Sequence, residues 1–159
     1  MATPLSCPRC SGELRRGHFD SLDVHLCVGC KGVLARQRDL SRLLESVARD
    51  TAANDQPGAV IEAIPDKGAG VVCPLCSGAM ENYGYMESKL VKIDGCMRCG
   101  VVWIDTDELG VMSLLYARSQ RKLQGSYMKD PGLTNLVSAS FLARAAENSL
   151  MSSFVLWDE

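Results

Sequence analysis

The eight cysteines of this 159-residue chain fall into four Cys-x2-Cys pairs, which constrain its fold more than any other feature. The first two pairs form the frame C-x2-C-x16-C-x2-C, and the last two form C-x2-C-x19-C-x2-C. Two residues between thiols let a tight turn aim both sulfurs at one point, and a second such turn completes the tetrahedron that structural zinc prefers. The predicted ligands are Cys7, Cys10, Cys27 and Cys30 for one Zn²⁺, and Cys73, Cys76, Cys96 and Cys99 for a second.

The residues around the cysteines favour tight turns. Pro8 and Pro74 stiffen the first turn of each frame. A glycine follows the second cysteine of every pair at one or two residues, namely Gly12, Gly32, Gly78 and Gly100. We expect positive φ at these glycines, because glycine adopts that conformation without steric cost.

Metal is expected to be a condition of folding. A unit of about 40 residues buries too little apolar surface to fold alone. Binding of structural zinc contributes roughly 10–16 kcal/mol in small peptides, which is enough to decide the balance.

Other uses of the thiols stay open. A Cys-x2-Cys pair also serves disulfide exchange, although a second pair at ligand distance and the lack of a thioredoxin-like βαβ pattern favour a metal. Iron occupies the same four-thiolate set in electron-transfer proteins, and sequence separates it poorly from zinc. His18 and His25 are alternative ligands, but with eight thiols available we interpret them as surface or strand residues. Catalytic zinc needs an open coordination position, and four cysteines leave none.

Periodic apolar residues predict one strand and one helix in each frame. SLDVHLC and SKLVKIDGC alternate as strands do before the second pair of each frame. Leu40, Leu43, Leu44, Val47 and Ala48 mark one face of a first helix. In the second frame Asp105 is a predicted helix cap, with Glu108 completing a capping box and Gly125 as the stop. Acidic residues 105, 107 and 108 are interpreted as this first helical turn rather than as a catalytic pair.

These motifs resemble bacterial zinc-ribbon domains of the transcription factor IIB type, in two tandem copies. The second copy, CPLCSGAM and CMRCGVVWIDTDEL, matches the family pattern with Trp103, Asp105, Glu108 and Leu109 in place. The first, CPRCSGEL and CVGCKGVLARQRDL, departs from it with Leu34 for the tryptophan and Arg36 for the aspartate. The resemblance implies two zinc knuckles at the end of a small antiparallel sheet, followed by a helix.

The predicted fold is a small, metal-stabilised α+β protein with two zinc ribbons, each followed by a helix, and a C-terminal helical tail. The ribbons with their helices occupy residues 1–50 and 71–124, a linker 51–70, and the tail 125–159. The apolar AVIEAI within the linker is an alternative short strand. A helix is predicted from about Thr134, and the apolar end 154–157 either covers the core of the second unit or forms an exposed patch for self-association or partner docking.

The favoured function is a non-catalytic zinc protein that serves as a protein-interaction or regulatory adaptor module. A net charge of −2 gives no global reason to bind nucleic acid. The alternative is a transcription-related zinc ribbon that binds nucleic acid through residues 1–50, a segment that contains eight Lys or Arg residues and six Asp or Glu residues. Its candidate contacts are Arg9, Arg15, Arg16, Lys31, Arg36, Arg38 and Arg42. Phe19 is the only Phe, Tyr or Trp there, so base stacking is poorly supported. An enzyme is not expected, because no Ser/His/Asp set, phosphate loop or open metal site is present.

The sequence also predicts a location. MATPLSCPRC lacks the basic and apolar regions of a secretory signal, and no window approaches the roughly 18 apolar residues of a membrane span. Eight cysteines without an export signal favour a reducing compartment, so we expect a cytoplasmic protein without membrane contact.

Overall fold

The first cysteine frame folds into three antiparallel strands and a helix. A computed structural model describes residues 4–51, 55, 59–68, 70–123 and 136–157 of the chain. The strands are β1 (Leu14–Phe19), β2 (Leu22–Cys27) and β3 (Val33–Arg36), and helix α1 (Leu40–Thr51) follows them. The predicted strand and helix are confirmed, because apolar alternation buries one side of β2 and the helical spacing buries Leu43 and Leu44 in α1.

The second frame repeats this order. After a short strand β4 (Val60–Ile61), it forms β5 (Glu81–Gly84), β6 (Lys92–Cys96), β7 (Val101–Ile104) and helix α2 (Thr106–Leu123). The strand alternative for AVIEAI is therefore confirmed over β4. The predicted stop at Gly125 lies outside the described residues.

The two frames share one sheet. β3 pairs antiparallel with β7, so that Leu34 lies opposite Trp103, Val33 opposite Ile104 and Ala35 opposite Val102. When the cysteine frames are aligned, Leu34 is equivalent to Trp103 and Val33 to Val102, while Ala35 is equivalent to Ile104. The pairing is therefore symmetric about the Leu34–Trp103 pair, and a local two-fold axis relates the ribbons.

The shared sheet has two different faces, because successive side chains of a strand point to opposite sides. One face packs against the helices; it carries Phe19, Val24, Ile93 and Ile104 in the larger core cluster. The other carries Leu34, Val101 and Trp103, which pack with the buried cysteines in a second cluster. The thiol clusters therefore lie on the sheet face opposite the helices.

The C-terminal segment contacts both ribbons. Strand β8 (Leu136–Val137) pairs in parallel with β4, helix α3 (Ala139–Ser153) follows, and β9 (Phe154–Leu156) pairs with β1 at the edge of the sheet, which runs β5-β6-β7-β3-β2-β1-β9. The predicted helix is present, although the expected start at Thr134 lies outside the described residues. Helix α3 buries Leu142, Ala146 and Leu150 in the helix-side core.

The expectation that the apolar end 154–157 covers the second unit is wrong, because β9 adds to the first ribbon. Gly17 permits this pairing: a Cβ there would lie 2.4 Å from the Val155 carbonyl oxygen. Phe154 packs against the core, whereas Val155 stays 64% exposed. The division of the chain into four segments stays a prediction. Among the described residues, none of the helices combines the length and apolar character that a membrane crossing requires.

Candidate metal centres

Four turns of the same design present the eight sulfurs. In each turn the residue after the second cysteine donates its N–H to the carbonyl oxygen of the first. The pairs are Ser11 to Cys7 (3.0 Å), Lys31 to Cys27 (3.1 Å), Ser77 to Cys73 (2.9 Å) and Gly100 to Cys96 (2.8 Å). These four donors all have positive φ, from 58° to 64°.

The expected positive φ at the turn glycines is wrong for three of the four. Only Gly100 has it, because in the other turns the left-handed residue lies one position earlier, at a serine or a lysine. Gly12 and Gly78 have a different role: a Cβ at either would come within 3.3 Å or less of a cysteine sulfur. The glycines keep space for the sulfurs rather than permitting the turn.

The sulfur distances fit a tetrahedral metal site. In each frame the four Sγ atoms lie within 4.8 Å of one another. Individual separations are 3.6 Å for Cys7–Cys30, 3.4 Å for Cys10–Cys27 and 3.7 Å for Cys76–Cys96. Four bonds of about 2.3 Å around zinc place sulfurs about 3.8 Å apart, whereas a disulfide needs about 2.05 Å. The two clusters therefore suit zinc.

The thiols of each cluster differ in acidity. A backbone N–H bond from Gly12, followed by bonds from neighbouring thiols, lowers the pKa of Cys10 to about 7. Gly78 does the same for Cys76, whose pKa is also about 7. A hydrogen bond with Cys76 and burial raise the pKa of Cys99 to about 12. Burial is the first cause of the raised pKa values of Cys7, Cys30 and Cys73. Crowded thiols resist losing several protons, and a divalent cation supplies the charge that offsets four thiolates.

The first knuckle is tied to the second ribbon by an ion pair. Arg9, between Cys7 and Cys10, places Nη2 2.8 Å from the Asp94 carboxylate and Nε 3.2 Å from that of Asp105. The Asp94 side chain is fully buried and also accepts a hydrogen bond from Asn82 at 3.0 Å. Burial raises the pKa of Asp94, while the Arg9 charge and the Asn82 bond act against that rise. Arg9 therefore stabilises a carboxylate that is otherwise costly to bury.

Trp103 fills the space between the two ribbons. Its side chain is fully buried, and its Nε1–H donates to Asp105 at 2.9 Å. A Cβ at Gly32, in the other ribbon, would lie 2.3 Å from the Trp103 ring. Thr106 adds a hydrogen bond from its hydroxyl to the Cys30 carbonyl oxygen at 3.1 Å. The turn that carries Cys30 of the first thiol cluster is thus in contact with Trp103 and Thr106 of the second ribbon.

The acidic group at the start of α2 binds a lysine. Asp105, Asp107 and Glu108 bring carboxylate oxygens together, and Lys67 places Nζ 3.0, 2.7 and 3.8 Å from them respectively. Half of the predicted capping box is present: Glu108 accepts the Asp105 N–H at 2.8 Å, whereas the Asp105 carboxylate turns to Trp103, Arg9 and Lys67. Burial, and next the Asp105 charge, raise the pKa of Glu108 to about 8. These three acidic residues therefore lie at the start of α2, and Lys67 balances part of their negative charge.

The seven basic candidates differ in their partners, and their role as contacts stays a prediction. Arg9 is committed to the ion pair described above. Three others have local partners: Arg15 pairs with Glu13 at 3.6 Å, Arg16 pairs with Asp23 at 3.6 Å and lies over the Trp157 ring, and Lys31 donates to the Val28 carbonyl at 2.8 Å. Arg36, Arg38 and Arg42 make no ion pair within the described part of the chain.

The two histidines lie in strands of the first ribbon, apart from both thiol clusters. His18 stacks on Trp157, with ring centroids 4.6 Å apart, and its Nδ1 lies 3.1 Å from an Asp23 oxygen. Sequence reasoning missed Asp94 and Lys67 as partners of the knuckle and the helix start. The signal for Asp94 in the sequence was an acid that directly follows the apolar Ile93 in a predicted strand.

Comparison with known proteins supports the ribbon in the first frame. A family model described as a transcription factor zinc-finger, of the TFIIB zinc-ribbon type, matches residues 6–46. The match does not reach the second cysteine frame. Neither a curated protein nor a solved structure matched the chain. Residues 6–46 are therefore similar to that zinc-finger family, and the second thiol cluster is supported by its geometry.

Proposed function

We propose that this is a non-catalytic zinc protein in which two structural Zn²⁺ ions hold a double ribbon that acts as a protein-interaction or adaptor module. The observation that carries the proposal is the donor set. Each cluster offers four thiols at tetrahedral separations, so a bound zinc ion keeps no position for water or substrate. Eight cysteines arranged as metal ligands favour a reducing compartment, and we propose the cytoplasm.

The knuckles supply the contact surface in this proposal. Their tips expose apolar side chains: Val28 is 41% exposed, Leu75 45% and Met97 69%. Knuckle turns fixed by metal hold such side chains in place before a partner arrives, which lowers the entropy lost on binding. The exposed face of β9, with Val155 and Leu156, is the candidate surface for self-association.

Metal analysis and partner capture test the proposal together. The purified chain is expected to be colourless, to contain two zinc ions per chain, and to retain the same partner protein in repeated captures from the native cell. Treatment with a chelator is expected to abolish that capture. A coloured iron protein, one zinc per chain, or capture that survives complete metal removal would each contradict it.

Nucleic-acid binding is the second candidate, favoured by Arg36 and Arg38, which are exposed and make no ion pair within the described residues. Binding through phosphate contacts would weaken steeply as salt rises. Titration of a labelled duplex and a labelled single strand at two salt concentrations distinguishes the candidates. We expect no binding that depends on salt in this way.

A further inference from the structure

The local two-fold axis relates two places where a knuckle of one ribbon meets the strands of the other. At the first place, Arg9 contacts Asp94 and Asp105 and closes the junction. In the aligned frames, Leu75 is equivalent to Arg9, His25 to Asp94, and Arg36 to Asp105. The second place therefore has a leucine where the first has the cation, and an arginine where the first has an acceptor.

The second place is open. Leu75, His25, Leu34 and Arg36 line a cavity of about 180 Å³, which Arg16 and Asp23 border. Arg36, Leu75 and Val101 also line a larger, more open groove, which extends past Gln37 and Arg38 to Cys99. The two lining sets share Arg36, Leu75 and Val101, so the cavity and the groove are adjacent.

The groove combines positive charge with an apolar wall. Arg36 and Arg38 are exposed and make no ion pair among the residues that the structure describes, whereas Arg16 is paired with Asp23. Leu75 is 45% exposed beside them. At the first place Arg9 is paired with the buried carboxylates of Asp94 and Asp105. At the second place the exposed arginines have no such carboxylate among the described residues, so a carboxylate of another molecule is the group that fits there.

We propose that this groove binds an acidic segment of a partner protein, with a carboxylate on Arg36 and Arg38 and a neighbouring apolar side chain against Leu75 and Val101. The inference rests on the proposed interaction function and names the chemistry of the partner. Guanidinium groups bind carboxylates in paired hydrogen bonds, which gives such a site geometric specificity.

The lining favours an acidic peptide over nucleic acid. Arg36 and Arg38, the two arginines without ion pairs here, neutralise few phosphates. Phe, Tyr and Trp, on which bases would stack, do not line either the cavity or the groove. An apolar side chain next to a carboxylate matches Leu75 beside Arg36, whereas a phosphate chain offers no such group.

Selection from random 12-residue peptides displayed on phage tests the proposal with the zinc-loaded full chain. Enriched peptides are expected to carry Asp or Glu beside an apolar residue. Made with a fluorescent label, they should lose affinity for the Arg36→Glu, Arg38→Glu double variant by about tenfold or more. Leu75→Ser should weaken binding without any change of charge.

A matched control distinguishes the effect of the groove residues from the effect of a changed net charge. Arg42→Glu with Arg144→Glu makes the same charge change on exposed positions of α1 and α3, on the helix side of the sheet. Affinity within about twofold of the wild type is expected for this control. Circular dichroism and zinc content establish that every variant is folded.

Several results would overturn the inference. They are failure to enrich acidic peptides, equal binding to the groove variant, equal loss in the helix-side control, and a groove that binds a labelled oligonucleotide or a second copy of the chain instead. If the groove variant still captures the cellular partner while metal removal abolishes capture, the proposed function stands and this inference falls. If the wild type captures no partner, the proposed function itself fails.

Discussion

Replacement of Arg9 by leucine tests whether the junction between the ribbons depends on a buried charge. The change gives the first knuckle the residue that the second has at Leu75. It removes the guanidinium 2.8 Å from the fully buried Asp94 side chain, while the zinc ligands stay in place. We therefore expect zinc content to be unchanged and stability to fall.

The expected loss follows from the burial of each partner. Removing one partner of a buried ion pair costs about 3–5 kcal/mol. The Arg9 side chain is 20% exposed and Asn82 still donates to Asp94, so we expect a loss at or just below the lower limit of that range, about 2–3 kcal/mol. Adding Asp94→Asn replaces the stranded carboxylate by a neutral group of the same size. This double variant should recover about 1–2 kcal/mol relative to Arg9→Leu alone.

Urea unfolding at pH 7.5 with buffered free zinc measures these differences, since a fixed zinc concentration keeps its contribution to stability constant. Arg15→Leu is the matched control: Arg15 and Glu13 lie 3.6 Å apart and are 48% and 51% exposed. The control should stay within about 0.5 kcal/mol of the wild type. A loss below that value for Arg9→Leu, or no recovery in the double variant, would refute the reasoning.

Three further predictions address metal, pH and the tail. Complete metal removal with a chelator should abolish the ordered circular dichroism spectrum, because the two ribbons share one sheet and both thiol clusters pack against it; an unchanged spectrum would contradict this. The pKa of Glu108 is about 8 in the folded state, above its ordinary value of 4.5, so the native state binds more protons between these values and stability falls as pH rises through this window. The stability of the wild type minus that of Glu108→Gln should therefore decrease from pH 6 to 8, and a flat or rising difference would disprove the assignment. Gly17→Ala should displace β9, since its Cβ would lie 2.4 Å from the Val155 carbonyl oxygen. The fluorescence of Trp157, which follows β9, should therefore change clearly, whereas the free energy of unfolding should fall only slightly. Fluorescence identical to that of the wild type would show that the strand accommodates the methyl group.

Local patterns in the sequence predicted the local elements. The spacing of the cysteines predicted two four-sulfur clusters, and the helical spacing after Leu40 predicted α1, because both depend on residues close in the chain. The prediction of positive φ at the turn glycines was wrong for three of the four, because spacing alone does not show which residue after the cysteine is left-handed. The sequence does not distinguish a glycine that is needed to leave space for a sulfur atom from a glycine that is needed for a positive φ.

Pairing between the ribbons could not be predicted from these patterns. The contact of Val33 with Ile104 joins residues far apart in sequence, and each strand is equally well formed without the other. The same holds for β9 on β1, where the apolar end gave no indication of its partner. Arg9 looked like a surface cation because its acceptors, Asp94 and Asp105, lie in the other ribbon.

The two-fold pairing explains one of the differences between the first cysteine frame and the zinc-ribbon pattern. Trp103 packs over Gly32, and in the aligned frames their equivalents are Leu34 and Val101. A large and a small side chain on one side of the axis are thus replaced by two of medium size on the other, and both sides stay buried. Tryptophans at both axis positions would stand directly opposite in the β3–β7 register, where interiors tolerate little extra volume. The change from tryptophan to Leu34 therefore serves the joint core of the two ribbons. No comparable packing reason applies to Arg36, because its side chain is exposed; the acidic partner segment proposed above would give this departure a role.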